Sequence, residues 1–216
     1  MRAIVFANGI LEDPQGAKAL IDPNDVIIAA DGGAIHCRTL GVTPDVIIGD
    51  MDSLSEEDQQ YWAEKEVPFI RHSRRKDETD LELALLHARD LPAGEILVLG
   101  ALGGRWDQTF ANLMLPLYHR LAGLEVAFWH EGTWITVITH SRTIKGKAGQ
   151  TVSLIPLGGN ALGVSTTGLE WPLNNETLYL GGSRGVSNVL LGESAQITVE
   201  QGTLLCFIFD TEEERN

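Results

Sequence analysis

Cysteine is nearly absent from this chain. Only Cys37 and Cys206 occur, far apart and without CxxC spacing, which excludes a disulfide framework and a cysteine-based zinc site. Both are expected to be small buried apolar residues in a reducing compartment. Basic residues are also scarce, with 16 Lys and Arg against 30 Asp and Glu and a net charge of −14. The chain thus lacks the basic face that non-specific nucleic-acid binding or docking on anionic lipid requires. No apolar run approaches the roughly 18 residues of a membrane span, and Ile96–Leu102 is interrupted by Gly100. The opening Met1-Arg2-Ala3-Ile4-Val5-Phe6 reads as a strand, too short for a secretory h-region. The expectation is a cytoplasmic protein with neither a nucleic-acid nor a membrane partner. Neither GxxxxGK[ST] nor GxGxxG is present, so the usual phosphate cradle at a helix N-terminus is not signalled.

What is present is 216 residues, 44% of them hydrophobic, enough to bury a core in one large domain or two small ones. Short runs rich in Val, Ile and Leu fall at Ala3–Ala7, Val26–Ala30, Val46–Ile48, Val67–Ile70, Ile96–Gly100 and Val126–Trp129. They show little period-2 alternation, as expected of strands covered on both faces. Helical patterns lie between them at Pro14–Leu20, Ala34–Leu40, Ser55–Lys65, Asp80–Asp90 and Gln108–Leu121. This alternation predicts a three-layer α/β domain with a parallel sheet over residues 1–132.

From Thr133 the pattern changes to short β-like runs separated by Gly and Asn clusters such as Gly158-Gly159-Asn160. The runs are Thr133–Thr139, Thr151–Leu157, Leu178–Leu180, Ala195–Val199 and Leu204–Phe209. An all-β sandwich is expected over 133–216. The acidic end, Asp210 to Arg215, reads as a solvated tail.

The carboxylates gather where these strands end. Asp31 follows one as Asp31-Gly32-Gly33, and Asp50 and Asp52 follow the next in Gly49-Asp50-Met51-Asp52-Ser53. Asp77 and Asp80 come in Lys76-Asp77-Glu78-Thr79-Asp80, and Asp107 in Gly103-Gly104-Arg105-Trp106-Asp107. In an open parallel sheet these loops share the carboxyl edge, where ligands bind. Converging carboxylates repel one another unless a cation sits among them, and Mg²⁺ with substrate phosphates suits such a set.

An extended Asp50-Met51-Asp52 would project both side chains to one side. The bland alternative is a pair of turn and capping aspartates before Leu54-Ser55. Thr79 through Glu82 fits a capping box, with Leu81, Leu85 and Ala88 as the buried stripe of its helix. The run Arg71-His72-Ser73-Arg74-Arg75-Lys76 is either a solvated loop or a source of phosphate contacts. Trp171, followed by Pro172, belongs near an edge or loop, packed in the core or free to stack on a cationic heterocycle. Ser187 and Asn188 offer polar contacts or cap a turn.

The ordered set Asp-Gly-Gly at 31–33, Gly-Asp-x-Asp-Ser at 49–53, Lys-Asp-x-Thr-Asp-x-Glu at 76–82, Gly-Gly-Arg-x-Asp at 103–107 and Ser-Asn at 187–188 resembles the thiamine pyrophosphokinases. The resemblance implies transfer of the pyrophosphoryl group of ATP to thiamine, giving thiamine diphosphate and AMP. It implies a homodimer with the active site at the subunit interface, thiamine lying between one subunit's α/β domain and the other's β domain.

By the same resemblance, Asp50, Asp52 and Asp80 are Mg²⁺ ligands, with Asp77 in or beside that shell. Asp50 or Asp80 is the candidate proton acceptor, and Arg105 stands next to the phosphates. Asp31, Gly32, Gly33, Lys76, Thr79 and Asp107 are nucleotide or active-site contacts. Trp171 stacks on thiamine, and Ser187 and Asn188 contact it. Gln108 stands where some members of the family have His. Two rivals remain, a nucleotide-sugar glycosyltransferase built on the Asp-x-Asp motif and a non-catalytic sensor of ATP or thiamine diphosphate.

Overall fold

In the computed structural model, residues 1–210 are described; the expected solvated tail lies, from Thr211 onward, outside them. The chain divides into two compact units, Met1–Glu131 and Gly132–Asn216.

The first unit alternates strand and helix: β1 (Arg2–Phe6), α1 (Pro14–Ala19), β2 (Val26–Ala30), α2 (Gly33–Leu40), β3 (Val46–Gly49), α3 (Glu56–Glu64), β4 (Phe69–Arg71), α4 (Asp80–Arg89), β5 (Glu95–Leu99), α5 (Trp106–Met114) and β6 (Glu125–His130). The six strands are all parallel, in the order β6-β5-β1-β2-β3-β4. Consecutive residues Ala3 to Phe6, Ile27 to Ala30 and Ile96 to Leu99 are buried. Neighbouring strand residues point to opposite faces, so unbroken burial means that both faces are covered, as an α/β unit requires.

Two expectations for this unit need revision. The helix expected over Gln108–Leu121 begins at Trp106 and ends at Met114, followed by two 3₁₀ turns, Leu115–Leu117 and His119–Leu121. Pro116 lacks an N–H and so cannot continue the helical ladder. The strand expected from Val67 starts at Phe69 because Pro68 has no N–H to give to a sheet, although its carbonyl accepts from Ile47 at 3.0 Å.

The strand order reverses between β1 and β5. The chain leaves β1 toward β2 and leaves β5 toward β6, on opposite sides. Their connecting loops part at the carboxyl edge, and a crevice opens between them.

The second unit is β7 (Thr133–Ile138), β8 (Ser141–Lys145), β9 (Thr151–Pro156), β10 (Ala161–Thr167), β11 (Glu176–Leu178), β12 (Asn188–Val189), β13 (Ser194–Thr198) and β14 (Leu204–Phe209). Within it, β12-β9-β14-β7 and β11-β10-β13-β8 run antiparallel. Ile138, Val152, Leu154 and Leu204 of the first set share one buried core with Ile144, Val164, Leu178 and Ile197 of the second, which makes this unit a sandwich.

Three of its strands leave little mark on the sequence. Ile144 is the only apolar residue of β8, an edge strand. β10 contains Gly163 and a register shift between Ala161 and Val164, and β12 is only two residues long.

Cys37 and Cys206 are both fully buried and unpaired. Burial pushes both thiols up, Cys206 to about 12, so neither serves as a nucleophile. Among the described residues no helix is long and apolar enough to cross a membrane.

Candidate active site

The crevice at the β1/β5 divide is a cavity of about 450 Å³. Asp31, Asp50 and Asp52 bring carboxylate oxygens within 4.8 Å of one another there, and Lys76, Thr79, Asp80 and Arg105 also line it.

Backbone geometry, not extended spacing, makes the carboxylates converge. Asp31 takes a positive φ of 46° at the end of β2, and Met51 one of 66° between Asp50 and Asp52. Of the two readings of Asp50-Met51-Asp52, extended segment or turn, the backbone takes the turn. Asp52 N–H donates to Asp50 Oδ1 at 3.1 Å, and Ser53 N–H donates to Asp31 Oδ2 at 3.2 Å. Ser55, not an aspartate, caps α3, accepting from Asp58 N–H at 3.1 Å. Gly49 completes the arrangement, because a Cβ there would lie 2.8 Å from Asp31 Cβ and 2.9 Å from Asp80 Oδ1.

Lys76 offsets part of the negative charge of these carboxylates. Its Nζ lies 2.8 Å from Asp50 Oδ2 and 3.0 Å from Asp80 Oδ1. The hydrogen bond from Lys76 holds Asp50 below the usual carboxylate range. Burial works against the charge on Lys76, yet its bonds to Asp50 and Asp80 leave it above the ordinary lysine value. Burial pushes Asp31 up, and the charges of Asp80 and Asp50 add to this against a hydrogen bond from Ser53. Asp31 Oδ1 is buried without a hydrogen-bond partner. An orphaned carboxylate oxygen in a three-carboxylate cluster fits a hard divalent cation.

The other expected residues are placed as follows. Thr79 caps α4, its Oγ1 accepting from Glu82 N–H at 3.1 Å, and also lines the crevice. Asp77 is exposed and outside the lining. Asp107 is exposed, gripped by Arg105 through its Nε at 3.2 Å and a second bond from its Nη2. That grip lowers the Asp107 pKa and leaves Arg105 as the member of the pair that lines the cavity.

Gly32 and Gly33 do not line it either. A Cβ on Gly33 would meet the Phe6 carbonyl oxygen at 2.0 Å, so this glycine lets α2 pack against β1. Of the basic run, Arg74 and Lys76 reach the crevice, whereas Arg71 donates to Gln59 at 2.9 Å and lies over the Phe69 ring.

Sequence reasoning missed Asn8, Gly9 and Asn112, which line the crevice from the β1 loop and α5. The position of Ala7-Asn8-Gly9 at a strand end was available as a signal, but the segment carries no charge.

The second unit has its own cavity of about 500 Å³, lined by Trp171, Leu173, Arg184, Ser187 and Asn188 among others. Trp171 lies in a loop, half exposed. Ser187 takes a φ of 60°, and its N–H donates to Ser153 Oγ at 3.0 Å. Arg184 forks onto Glu176, both contacts at 3.1 Å.

Comparison with known proteins accords with both units. Residues 17–128 match the family model for the thiamin pyrophosphokinase catalytic domain, and residues 137–204 that for its vitamin B1 binding domain. The chain is 33% identical over 222 residues to thiamine pyrophosphokinase 1 of Oryza sativa subsp. japonica, covering 91% of this chain and 83% of the relative. It is 26% identical to thiamine pyrophosphokinase of Bacillus subtilis (strain 168), over 85% and 87% of the two chains. The crystal structure of thiamin pyrophosphokinase from Geobacillus thermodenitrificans superposes with a TM-score of 0.85 at 26% identity, covering 98% of this chain and 99% of that one. The glycosyltransferase and sensor readings find no support in these matches. The chain belongs to the thiamine pyrophosphokinase family.

Proposed function

We propose that this chain transfers the pyrophosphoryl group of ATP to thiamine, giving thiamine diphosphate and AMP. The hydroxyl oxygen of thiamine attacks the β-phosphorus, the bond from that phosphorus to the oxygen bridging it to the α-phosphorus breaks, and AMP leaves. The observation that carries this reading is the convergence of Asp31, Asp50 and Asp52 beside Lys76 in a crevice at the sheet's reversal point. Pyrophosphoryl transfer, like phosphoryl transfer, is mostly positioning and charge neutralisation, so carboxylates for a cation and side-chain cations for phosphate are the groups required.

Asp50 and Asp52, with Asp31 and Asp80 beside them, would hold Mg²⁺, which when bound neutralises phosphate charge and orients the transferred group. Asp77 has no ligand role in this reading. Lys76, Arg74 and Arg105 reach phosphate oxygens, and Asp50 or Asp80 accepts the hydroxyl proton. Thiamine is a cation with flat rings, which suits the exposed face of Trp171.

The protein acts in the cytoplasm as a homodimer. The exposed face of α5, where Trp106, Phe110 and Met114 follow at i, i+4 and i+8, supports association.

The test is to incubate the chain with thiamine and Mg-ATP and follow products by ³¹P NMR. Thiamine diphosphate and AMP in equal amounts are expected. ADP in place of AMP, or no thiamine-dependent turnover, overturns the assignment.

A further inference from the structure

We infer that Asn188 is a positioning residue for Trp171, not a substrate contact, and that it sets where the indole stands in the second cavity. The inference rests on the reading above, in which Trp171 meets the thiamine ring.

The Asn188 side chain is buried and its hydrogen-bonding capacity is nearly spent. Oδ1 accepts from Trp171 N–H at 3.0 Å and from Val189 N–H at 2.9 Å. Nδ2 donates to the Trp171 carbonyl at 2.7 Å. A side-chain amide has two acceptor sites and two donors, so both acceptor sites and one donor are committed, and two of the three bonds go to the main chain of one residue. The partners fix the orientation of the amide, since only oxygen can face two N–H groups and only nitrogen can face a carbonyl.

The surroundings repeat the arrangement. Glu170 N–H donates to Val189 O at 2.9 Å, and Leu191 N–H donates to Gly168 O at 3.0 Å. Beyond Pro172, which has no N–H, Leu173 N–H donates to the buried Thr166 Oγ1 at 2.9 Å. The Trp171 main chain is thus anchored from both sides, and the half-exposed indole depends on these anchors for its place. Ser187, next to Asn188, is tied to β9 through Ser153, which fixes the residue that carries the anchoring amide.

A residue acting only through Trp171 has nothing left to contribute once the indole is gone. The test compares Trp171→Ala, Asn188→Ala and the double variant. Asn188→Ala is expected to raise the KM for thiamine roughly tenfold, as loss of two hydrogen bonds at a positioning contact would, with the KM for ATP within about twofold of the parent. The double variant should match Trp171→Ala alone. Multiplied losses in the double variant would make Asn188 an independent contact and overturn the inference.

A second measurement needs no turnover and covers failure of the alanine variant to fold. Asn188→Asp keeps the acceptor and loses the bond to the Trp171 carbonyl. In protein labelled with 5-fluorotryptophan, the ¹⁹F line of Trp171, identified by its loss in Trp171→Phe, should move or broaden in Asn188→Asp. An unchanged line overturns the inference. Absence of thiamine diphosphate formation by the unaltered protein overturns the functional reading instead, and the ¹⁹F result still decides the role of Asn188.

Discussion

Lys76 Nζ stands between two carboxylates, 2.8 Å from Asp50 Oδ2 and 3.0 Å from Asp80 Oδ1, with Lys76 and Asp80 one helical turn apart in sequence. It is the cation that lets these groups lie together, and a divalent metal seeking Asp50 must compete with it. Lys76→Met removes the competitor. Without nucleotide, the variant is expected to bind Mn²⁺ about tenfold more tightly than the parent, one lost charge interaction at short range being of that order. Its metal-free form should melt several degrees lower, as partly buried carboxylates lose their partner. EPR titration of free Mn²⁺ and a thermal melt read the two effects, and unchanged Mn²⁺ affinity would remove Lys76 from the competition.

Gly49→Ala should separate fold from site. The added methyl lies under 3.0 Å from Asp31 Cβ and Asp80 Oδ1, and at a φ of 154° the backbone offers little room to shift it. Turnover is expected to fall at least about a hundredfold, because displacement near 1 Å at the reacting groups has that effect. Far-UV circular dichroism should stay that of the parent. Turnover within threefold of the parent would mean that the carboxylates tolerate the displacement.

Acid should weaken the contact between α2 and α3. Asp58 receives a hydrogen bond from Ser55 Oγ at 2.6 Å and one from Arg38 Nη1 at 2.7 Å. Its pKa is held below 3.8 chiefly by the Ser55 bond, with Arg38 adding to it against the effect of burial. A carboxylate with a lowered folded pKa contributes stability above its unfolded value, and that contribution is lost as pH falls through the folded value. Asp58→Asn should therefore cost about 0.5–1 kcal/mol at pH 7, where the pair is intact, and nothing measurable well below pH 3.8. Urea unfolding of both proteins across this range would show the gap closing, and a constant gap would contradict the assignment.

Oligomeric state offers a further measurement. Trp106 and Phe110 are 74% and 60% exposed on one face of α5, the kind of apolar surface that association covers. Phe110→Glu should shift the mass in light scattering from dimer to monomer at micromolar concentration. A dimer of unchanged stability would place the interface elsewhere.

The parallel unit was legible because its strands are unbroken apolar runs and its carboxylates follow strand ends. Val26–Ala30 appears with the expected bounds, and Asp31, Asp50, Asp52 and Asp80 line the crevice. What spacing could not convey was the path of the backbone between them. Met51 turns through a left-handed conformation, and this turn, not an extended segment, brings Asp50 and Asp52 together. Gly32 and Gly33, nucleotide contacts by resemblance, face the Asn8 side chain and the Phe6 main chain respectively. Asn8 was marked only by its place at a strand end, because uncharged amides recur in any loop. In the sandwich, Ser141–Lys145 escaped notice because an edge strand facing water needs only one apolar anchor, Ile144.

Each of the two cavities is built from side chains of its own unit. Every residue lining the crevice lies at or before Asn112, and every residue lining the second cavity lies at or after Trp171. On the reading proposed above, with phosphates in the crevice and the thiamine ring against Trp171, the residues of the two cavities fall in non-overlapping stretches of coding sequence. A single crossover near residue 131 between relatives would exchange one cavity whole without cutting the other. A library diversified only around Trp171 and Arg184 would vary the second cavity while leaving the carboxylate cluster as it is.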